Sequence, residues 1–132
     1  MKLIHAIPAL PVRDTTASVG FYCEQFGFTV RHQEPGFAIV ARDEVEIHLW
    51  QASDETWRGR SGEPVVSGAE SFIAGTASCR VHVAGIDTLY AELMPRGVVH
   101  PNGALAVKPW RSREFAVIDR DNNLITFFEP AA

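Results

Sequence analysis

The sequence predicts an α+β fold in which two tandem βαβββ modules form a cup-shaped mixed sheet. Three observations predict it: an internal repeat, a helical pattern before each repeated hairpin, and a connector rich in Gly, Ser and charged residues between the copies. The 132 residues are enough for one domain whose core needs no metal or disulfide to hold it. We therefore expect a single domain over residues 1–132, with module 1 at about 3–50, the connector at 51–76 and module 2 at about 77–130.

Module 1 begins with a strand that ends at about Val12-Arg13-Asp14 and continues as a helix. Asp14 or Thr15 can cap that helix, because both side chains accept hydrogen bonds from the first free N–H groups. One face then repeats apolar residues at helical spacing, and Gly27 is a suitable C-cap. The apolar positions of this face are Val19, Tyr22, Cys23 and Phe26.

A hairpin follows in each module and is the clearest repeated feature. The run Phe-Ala-Ile-Val at 37–40 returns as Phe-Ala-Val-Ile at 115–118, 78 positions later, and the Arg-Asp pair at 42–43 returns at 120–121. Within 45–50, apolar and polar residues alternate, which is typical of a strand with one buried face. Each module is therefore expected to contain two strands joined by a tight polar turn.

Module 2 repeats the same order with an insertion. Its first strand is expected at 81–83, its helix starts near Asp87, and Gly97 ends the helix. The apolar face of this helix consists of Ile86, Leu89, Tyr90 and Leu93. Because the two helix-ending glycines lie 70 positions apart rather than 78, about eight extra residues separate the helix of module 2 from its hairpin, around 102–110.

Composition and charge exclude several classes of function. The net charge is −4 and no basic stripe is present, so we expect no nucleic-acid partner. No apolar run approaches the roughly 20 residues of a membrane span, and the N-terminus shows no signal-peptide pattern. The isolated cysteines Cys23 and Cys79 are expected to be reduced. These features predict a soluble cytoplasmic protein.

Four stretches of the sequence resemble the vicinal oxygen chelate superfamily, which includes glyoxalases, ring-cleaving dioxygenases, fosfomycin-modifying enzymes and bleomycin-resistance proteins. The stretches are 6–14, 21–28, 109–117 and 119–123. The segment with Trp110 and the following Asp-Arg-Asp-Asn-Asn turn are most similar to the bleomycin-resistance branch. The chain departs from that branch at Arg111-Ser112, where a single Gly is common, and at Arg120, where Pro is common.

Enzymes of this superfamily bind a divalent metal through His and Glu at four strand positions. Counted along the resemblance, those positions are Ile7, His48, near Ser78, and Thr126. Only His48 is an imidazole or carboxylate ligand of the kind such a site needs, so we expect no metal and no other cofactor. The alternative hypothesis is a metal-dependent lyase, isomerase or dioxygenase that uses His48 with His5, His82 or Glu129, which would require a strand bulge.

The resemblance implies a ligand pocket on the open faces of the hairpin strands. Its expected lining is His32, Phe37, His48, Trp50, Arg80 and Trp110, with Arg113 and Glu114 nearby. Trp110 and Phe37 are expected to stack on a flat ligand, with His48 and Glu114 as polar contacts. Arg80 stands where another Trp is usual, and it could stack on an aromatic ring or bind an acid of the ligand.

Pro8 suggests how the chain assembles. In the resemblance, a proline at this position acts as a hinge that lets the first strand cross to a partner subunit, which implies a strand-exchanged homodimer with two identical pockets. A proline in an edge strand needs no partner, and this is the competing interpretation. The sequence therefore predicts a metal-free, dimeric small-molecule-binding protein that sequesters a bleomycin-type or other aromatic antibiotic. A third hypothesis is an interaction domain without a small ligand.

Overall fold

Two four-stranded mixed sheets and two α-helices make up the described part of the chain, one sheet and one helix from each half of the sequence. The structure is a computed structural model and describes residues 1–52, 56–62, 64–67, 69 and 75–131. It confirms the predicted α+β fold with two βαβββ modules. None of the described helices is long and apolar enough to span a membrane.

The two modules have the same element order and the same sheet order. Module 1 consists of β1 (Ala9–Val12), α1 (Thr15–Phe26), β2 (Thr29–Glu34), β3 (Phe37–Arg42) and β4 (Val45–Gln51). Module 2 consists of β5 (Ser78–His82), α2 (Ile86–Leu93), β6 (Ala106–Lys108), β7 (Ser112–Ile118) and β8 (Leu124–Pro130). The sheet orders are β1-β4-β3-β2 and β5-β8-β7-β6, and the first strand of each module is parallel to the last.

Helix α1 ends at Gly27 as predicted, whereas α2 ends at Leu93 and a 3-10 turn, Met94–Arg96, continues the chain to Gly97. The two helices are also capped differently at their N-termini. Asp14 caps α1 by accepting a hydrogen bond from the N–H of Ala17 at 3.0 Å, and Gly27 closes the helix with φ at 73°. The N-cap residue of α2 is Gly85, which has no side chain to cap the helix. Glu129 of β8 supplies the missing acceptor, since its carboxylate takes the N–H groups of Gly85 at 2.7 Å and Ile86 at 3.4 Å.

One face of each sheet is packed into an apolar core and the other face is open. In β4, Ile47 and Leu49 are fully buried, whereas His48 and Trp50 are half-buried on the opposite face. This is the alternation predicted for 45–50, and it decides which side chains can reach a ligand.

The two hairpins differ by one residue in register. Trp50 lies opposite Phe37, whereas Phe128, its repeat partner 78 positions later, lies opposite Glu114. Two residues separate the last pair of β3 and β4, and five separate the last pair of β7 and β8. Phe115 is therefore turned into the core, at 1% exposure, and Glu114 takes the position on the open face that Phe37 has in module 1.

The longer β7–β8 turn joins the two modules through buried polar groups. The Tyr22 hydroxyl donates to Asp119 Oδ2 at 2.9 Å, and Asn123 Nδ2 donates to the carbonyl of Pro11 at 2.8 Å. Asp119 also accepts the backbone N–H groups of Asp121 and Asn123. These bonds fix the turn of module 2 against α1 and β1 of module 1.

Candidate ligand-binding site

The open face of module 2 is organised around Glu114. This side chain is 3% exposed, and its two oxygens accept hydrogen bonds from Arg80 Nη1 at 3.1 Å and Arg80 Nη2 at 2.7 Å. The indole Nε1 of Trp110 donates to the same carboxylate at 2.8 Å. The hydrogen bonds from Arg80 lower the pKa of Glu114 to about 2, although burial by itself raises it. Glu114 is therefore ionised at neutral pH.

Trp110 is an exposed aromatic side chain with a fixed orientation. It lies in the turn between β6 and β7 and is 62% exposed, while its N–H group is bonded to Glu114. The next residue, Arg111, has φ at 61°, the left-handed conformation that glycine adopts most easily. An exposed indole that is held in place is suited to stacking on a flat ligand.

A cavity of about 280 Å³ adjoins Trp110 and is lined entirely by module 2. Its lining includes Arg80, Trp110, Glu114, Ala116 and Thr126. A larger cavity of about 820 Å³ lies between the β3–β4 turn and α2, and none of the predicted ligand-binding residues lines it. We therefore place the candidate site at the smaller cavity, where the predicted residues Arg80, Trp110 and Glu114 converge.

Phe128 belongs to this face although sequence reasoning did not select it. The Arg80 guanidinium lies 4.8 Å from the centre of the Phe128 ring, and His82 stacks on that ring at 5.0 Å with an angle of 11°. The signal that could have identified Phe128 is the repeat, because it is the counterpart of Trp50. His82 is thus engaged with an aromatic ring.

The open face of module 1 brings together His32, Phe37, His48 and Trp50. Phe37 contacts the ring of His48 edge-on at 5.3 Å and that of His32 at 6.3 Å, and it lies opposite Trp50 in the β3–β4 pairing. Each histidine is paired with a carboxylate: His48 Nε2 lies 3.0 Å from Glu46, and His32 Nε2 lies 2.8 Å from Glu34. The open face of module 1 therefore consists of aromatic rings, with the carboxylates of Glu34 and Glu46 beside them.

Arg113 does not join these groups. It neighbours Glu114 along β7, so its side chain points to the opposite face of the sheet, where it pairs with Asp87 at the start of α2, with Nη2 to Oδ1 at 2.7 Å. The structure therefore places seven of the eight predicted ligand-binding residues on open faces and Arg113 on the helix side.

The residues of the alternative metal hypothesis are apart and otherwise engaged. His5 lies in the exposed segment before β1, His82 stacks on Phe128, and Glu129 caps α2. Among the residues the structure describes, no group of three His, Cys, Asp or Glu side chains could hold a metal ion. His48 pairs with Ala9 of the first strand in module 1, and Thr126 pairs with Arg80 of the first strand in module 2. Thr126 therefore occupies in module 2 the position that His48 occupies in module 1. The donor set thus does not fit the metal site of the superfamily.

The two open faces belong to different sheets. Within the described residues, the hydrogen bonds and ring contacts of each face stay inside its own module. The candidate site therefore consists of two groups of residues, one on each sheet.

Comparison with known proteins places this architecture in a family. Residues 2–127 match the model of the Glyoxalase/Bleomycin resistance protein/Dioxygenase superfamily. The chain is 59% identical to a bleomycin resistance protein of Geobacillus stearothermophilus, over 96% of this chain and 97% of that protein. Among solved structures, it is similar to the bleomycin-binding protein of the bleomycin producer Streptomyces verticillus in complex with copper(II)-bleomycin, with a TM-score of 0.73, 24% identity and coverage of 100% and 98%. The bleomycin resistance determinant of transposon Tn5 gives a TM-score of 0.72 at 19% identity, with coverage of 98% and 100%.

Proposed function

The chain belongs to the glyoxalase/bleomycin resistance protein/dioxygenase superfamily, and from this premise we propose that it is an antibiotic-binding protein that sequesters a flat aromatic drug of the bleomycin type. Binding rather than a chemical reaction is its function, and no metal takes part. The proposal includes a cytoplasmic location, which is supported by the two free cysteines, Cys23 and Cys79, because thiols stay reduced in that compartment. Burial raises the pKa of both thiols, which makes them less reactive.

One observation supports the proposal most directly. Trp110 exposes most of its indole next to the 280 Å³ cavity, while Glu114 fixes its orientation from below. An exposed aromatic side chain that is held in place beside a cavity is suited to stacking on a flat ligand. This is the stacking group expected from the sequence.

We propose that the site is completed in a homodimer. Residues 1–7 are exposed and precede β1, and they include the apolar Leu3 at 89% and Ile4 at 75% exposure. In module 2, strand β5 pairs with β8 from Ser78 onward. Ile7 is the counterpart of Ser78 in module 1, but there β1 pairs with β4 only from Ala9 onward. The first strand thus leaves its own sheet at Pro8, which supports a hinge there and a partner surface for the apolar arm.

The test is a fluorescence titration of EDTA-treated protein with metal-free bleomycin. We expect saturable quenching at about one drug per chain, unaffected by zinc or manganese. Trp110→Ala should weaken binding by about thirtyfold, or about 2 kcal/mol, as expected for loss of a central aromatic contact. Val107→Ala is the control, because Val107 is exposed on the neighbouring strand but lies on the side of Arg113.

Two outcomes would contradict the proposal. Unchanged affinity after Trp110→Ala would exclude the stacking contact. Binding that occurs only after metal is added would favour the enzyme hypothesis based on His48.

A further inference from the structure

The buried carboxylate of Glu114 is hydrogen-bonded to two exposed flat groups of module 2, the Arg80 guanidinium and the Trp110 indole. We propose that Glu114 is a positioning residue of the ligand site, and that it holds Arg80 and Trp110 together as one preformed wall on which an extended planar ligand stacks. The inference rests on the proposed function, and it assigns Glu114 a role beneath the ligand instead of a direct polar contact.

The accessibility of Glu114 argues against direct contact with a ligand. The residue is 3% exposed, and both of its oxygens already accept hydrogen bonds, Oε1 from Arg80 and Oε2 from Arg80 and Trp110. Arg80 and Trp110 themselves are largely exposed, at 51% for the Arg80 side chain and 62% for Trp110. A ligand on this face therefore meets the two bonded side chains and not the carboxylate.

Arg80 presents a stacking surface because its charge is already matched. Two of its N–H groups form the bidentate pair with Glu114, and the guanidinium lies over the ring of Phe128. An acid of a ligand would have to compete with this pair, whereas an aromatic ring could stack on the exposed guanidinium without breaking it. Of the two roles expected for Arg80, the geometry favours stacking.

The energetic advantage comes from fixing the side chains before the ligand arrives. Arg and Trp side chains lose rotational freedom when a ligand immobilises them, and this loss opposes binding. Glu114 already restricts the Arg80 and Trp110 side chains in the free protein, so these side chains lose less rotational freedom when the ligand binds. Removing Glu114 should weaken binding even though it removes no ligand contact.

A double-mutant cycle separates positioning from contact. We expect Glu114→Gln to weaken binding of metal-free bleomycin by about tenfold, because the amide can still accept from Trp110 but cannot form the ion pair with Arg80. In an Arg80→Ala/Trp110→Ala background, the same substitution should change affinity by less than about twofold. A tenfold loss that persists in that background would mean direct contact and would overturn the inference.

A measurement without ligand keeps the inference separate from the proposed function. Trp110 becomes the sole tryptophan after Trp50→Phe and Trp57→Phe, and time-resolved anisotropy then reports its local motion. We expect Glu114→Ala to increase the amplitude of fast indole motion, and Glu114→Gln to increase it less. Unchanged indole motion in folded Glu114→Ala protein would overturn the inference whether or not the protein binds bleomycin.

The chain offers a matched control for this experiment. Asp87→Asn removes the carboxylate of another Arg–carboxylate pair, that of Arg113, on the opposite side of β7. It should leave both the affinity and the Trp110 anisotropy unchanged. If wild-type protein does not bind bleomycin but Glu114→Ala still mobilises Trp110, the proposed function fails while the positioning role stands.

Discussion

Tyr22 shows how one residue links the two modules. Its ring is fully buried in the core among Phe26 and Phe28, and its hydroxyl reaches Asp119 in the β7–β8 turn. Burial, together with the nearby charge of Asp119, raises the pKa of Tyr22 well above its usual value. The folded protein therefore keeps the proton at alkaline pH at which the unfolded chain has released it.

We predict that Tyr22→Phe lowers the free energy of unfolding at neutral pH by about 1–3 kcal/mol, because Asp119 loses a buried donor. The raised pKa means that the contribution of Tyr22 is complete below about pH 10 and declines as the pH rises further. The difference between wild type and variant should therefore shrink in urea unfolding at pH 10.5 compared with pH 7. Tyr90→Phe, at the other tyrosine of the chain, is the control. An equal difference at both pH values would contradict the prediction.

At the scale of elements, the short helix α2 depends on a strand from the end of the chain. It spans eight residues, follows a glycine at its N-cap, and receives its N-terminal hydrogen-bond acceptor from Glu129 of β8. A carboxylate at this end also interacts favourably with the helix dipole. Glu129 is therefore a structural residue of module 2.

We predict that Glu129→Ala lowers the free energy of unfolding by about 1 kcal/mol, as loss of an N-cap does. Bleomycin affinity should not change, because Glu129 lies on the helix side of the sheet. Asp14→Ala, which removes the corresponding cap of α1, should have a similar effect on chemical denaturation. Loss of drug binding in folded Glu129→Ala protein would contradict this assignment and revive the metal hypothesis.

Element order could be predicted from the sequence because apolar spacing and helix-ending glycines are local signals. The relation between the hairpins could not, since the 78-residue repeat aligns Phe37 with Phe115, whereas the structure aligns Phe37 with Glu114. The length of the β7–β8 turn decides this register, and the residue types of the strands do not reveal it. The side of the sheet on which Arg113 lies depends on that register, so its pairing with Asp87 could not be predicted either. The stacking of His82 on Phe128 could not be predicted because Phe128 lies on another strand.

At the scale of the whole molecule, the candidate site is divided. Phe37, His48 and Trp50 lie on the sheet of module 1, while Arg80 and Trp110 lie on the sheet of module 2. The exposed arm before β1 is the feature that favours pairing of these faces across a dimer.

We predict that Leu3→Ser together with Ile4→Ser converts a dimer to a monomer in sedimentation velocity and abolishes tight bleomycin binding at the same time. The reason is that the arm would lose the apolar surface it buries against the partner. Val66→Ser, at another exposed apolar residue, should leave both properties unchanged. A monomeric wild type, or a variant that stays dimeric, would show that the arm does not assemble the protein.

The one-residue offset between the hairpins has a consequence for how a drug is oriented. Equivalent positions on the two open faces hold Phe37 in one module and the buried Glu114 in the other. One wall of a shared pocket therefore presents the Phe37 ring, whereas the other presents the Arg80 and Trp110 side chains that Glu114 holds. In the proposed twofold dimer, each pocket would take one wall from each kind of module. An unsymmetrical ligand would then bind in one preferred orientation, the same in both pockets. The reversed orientation would place each end of the ligand against the wall that suits the other end.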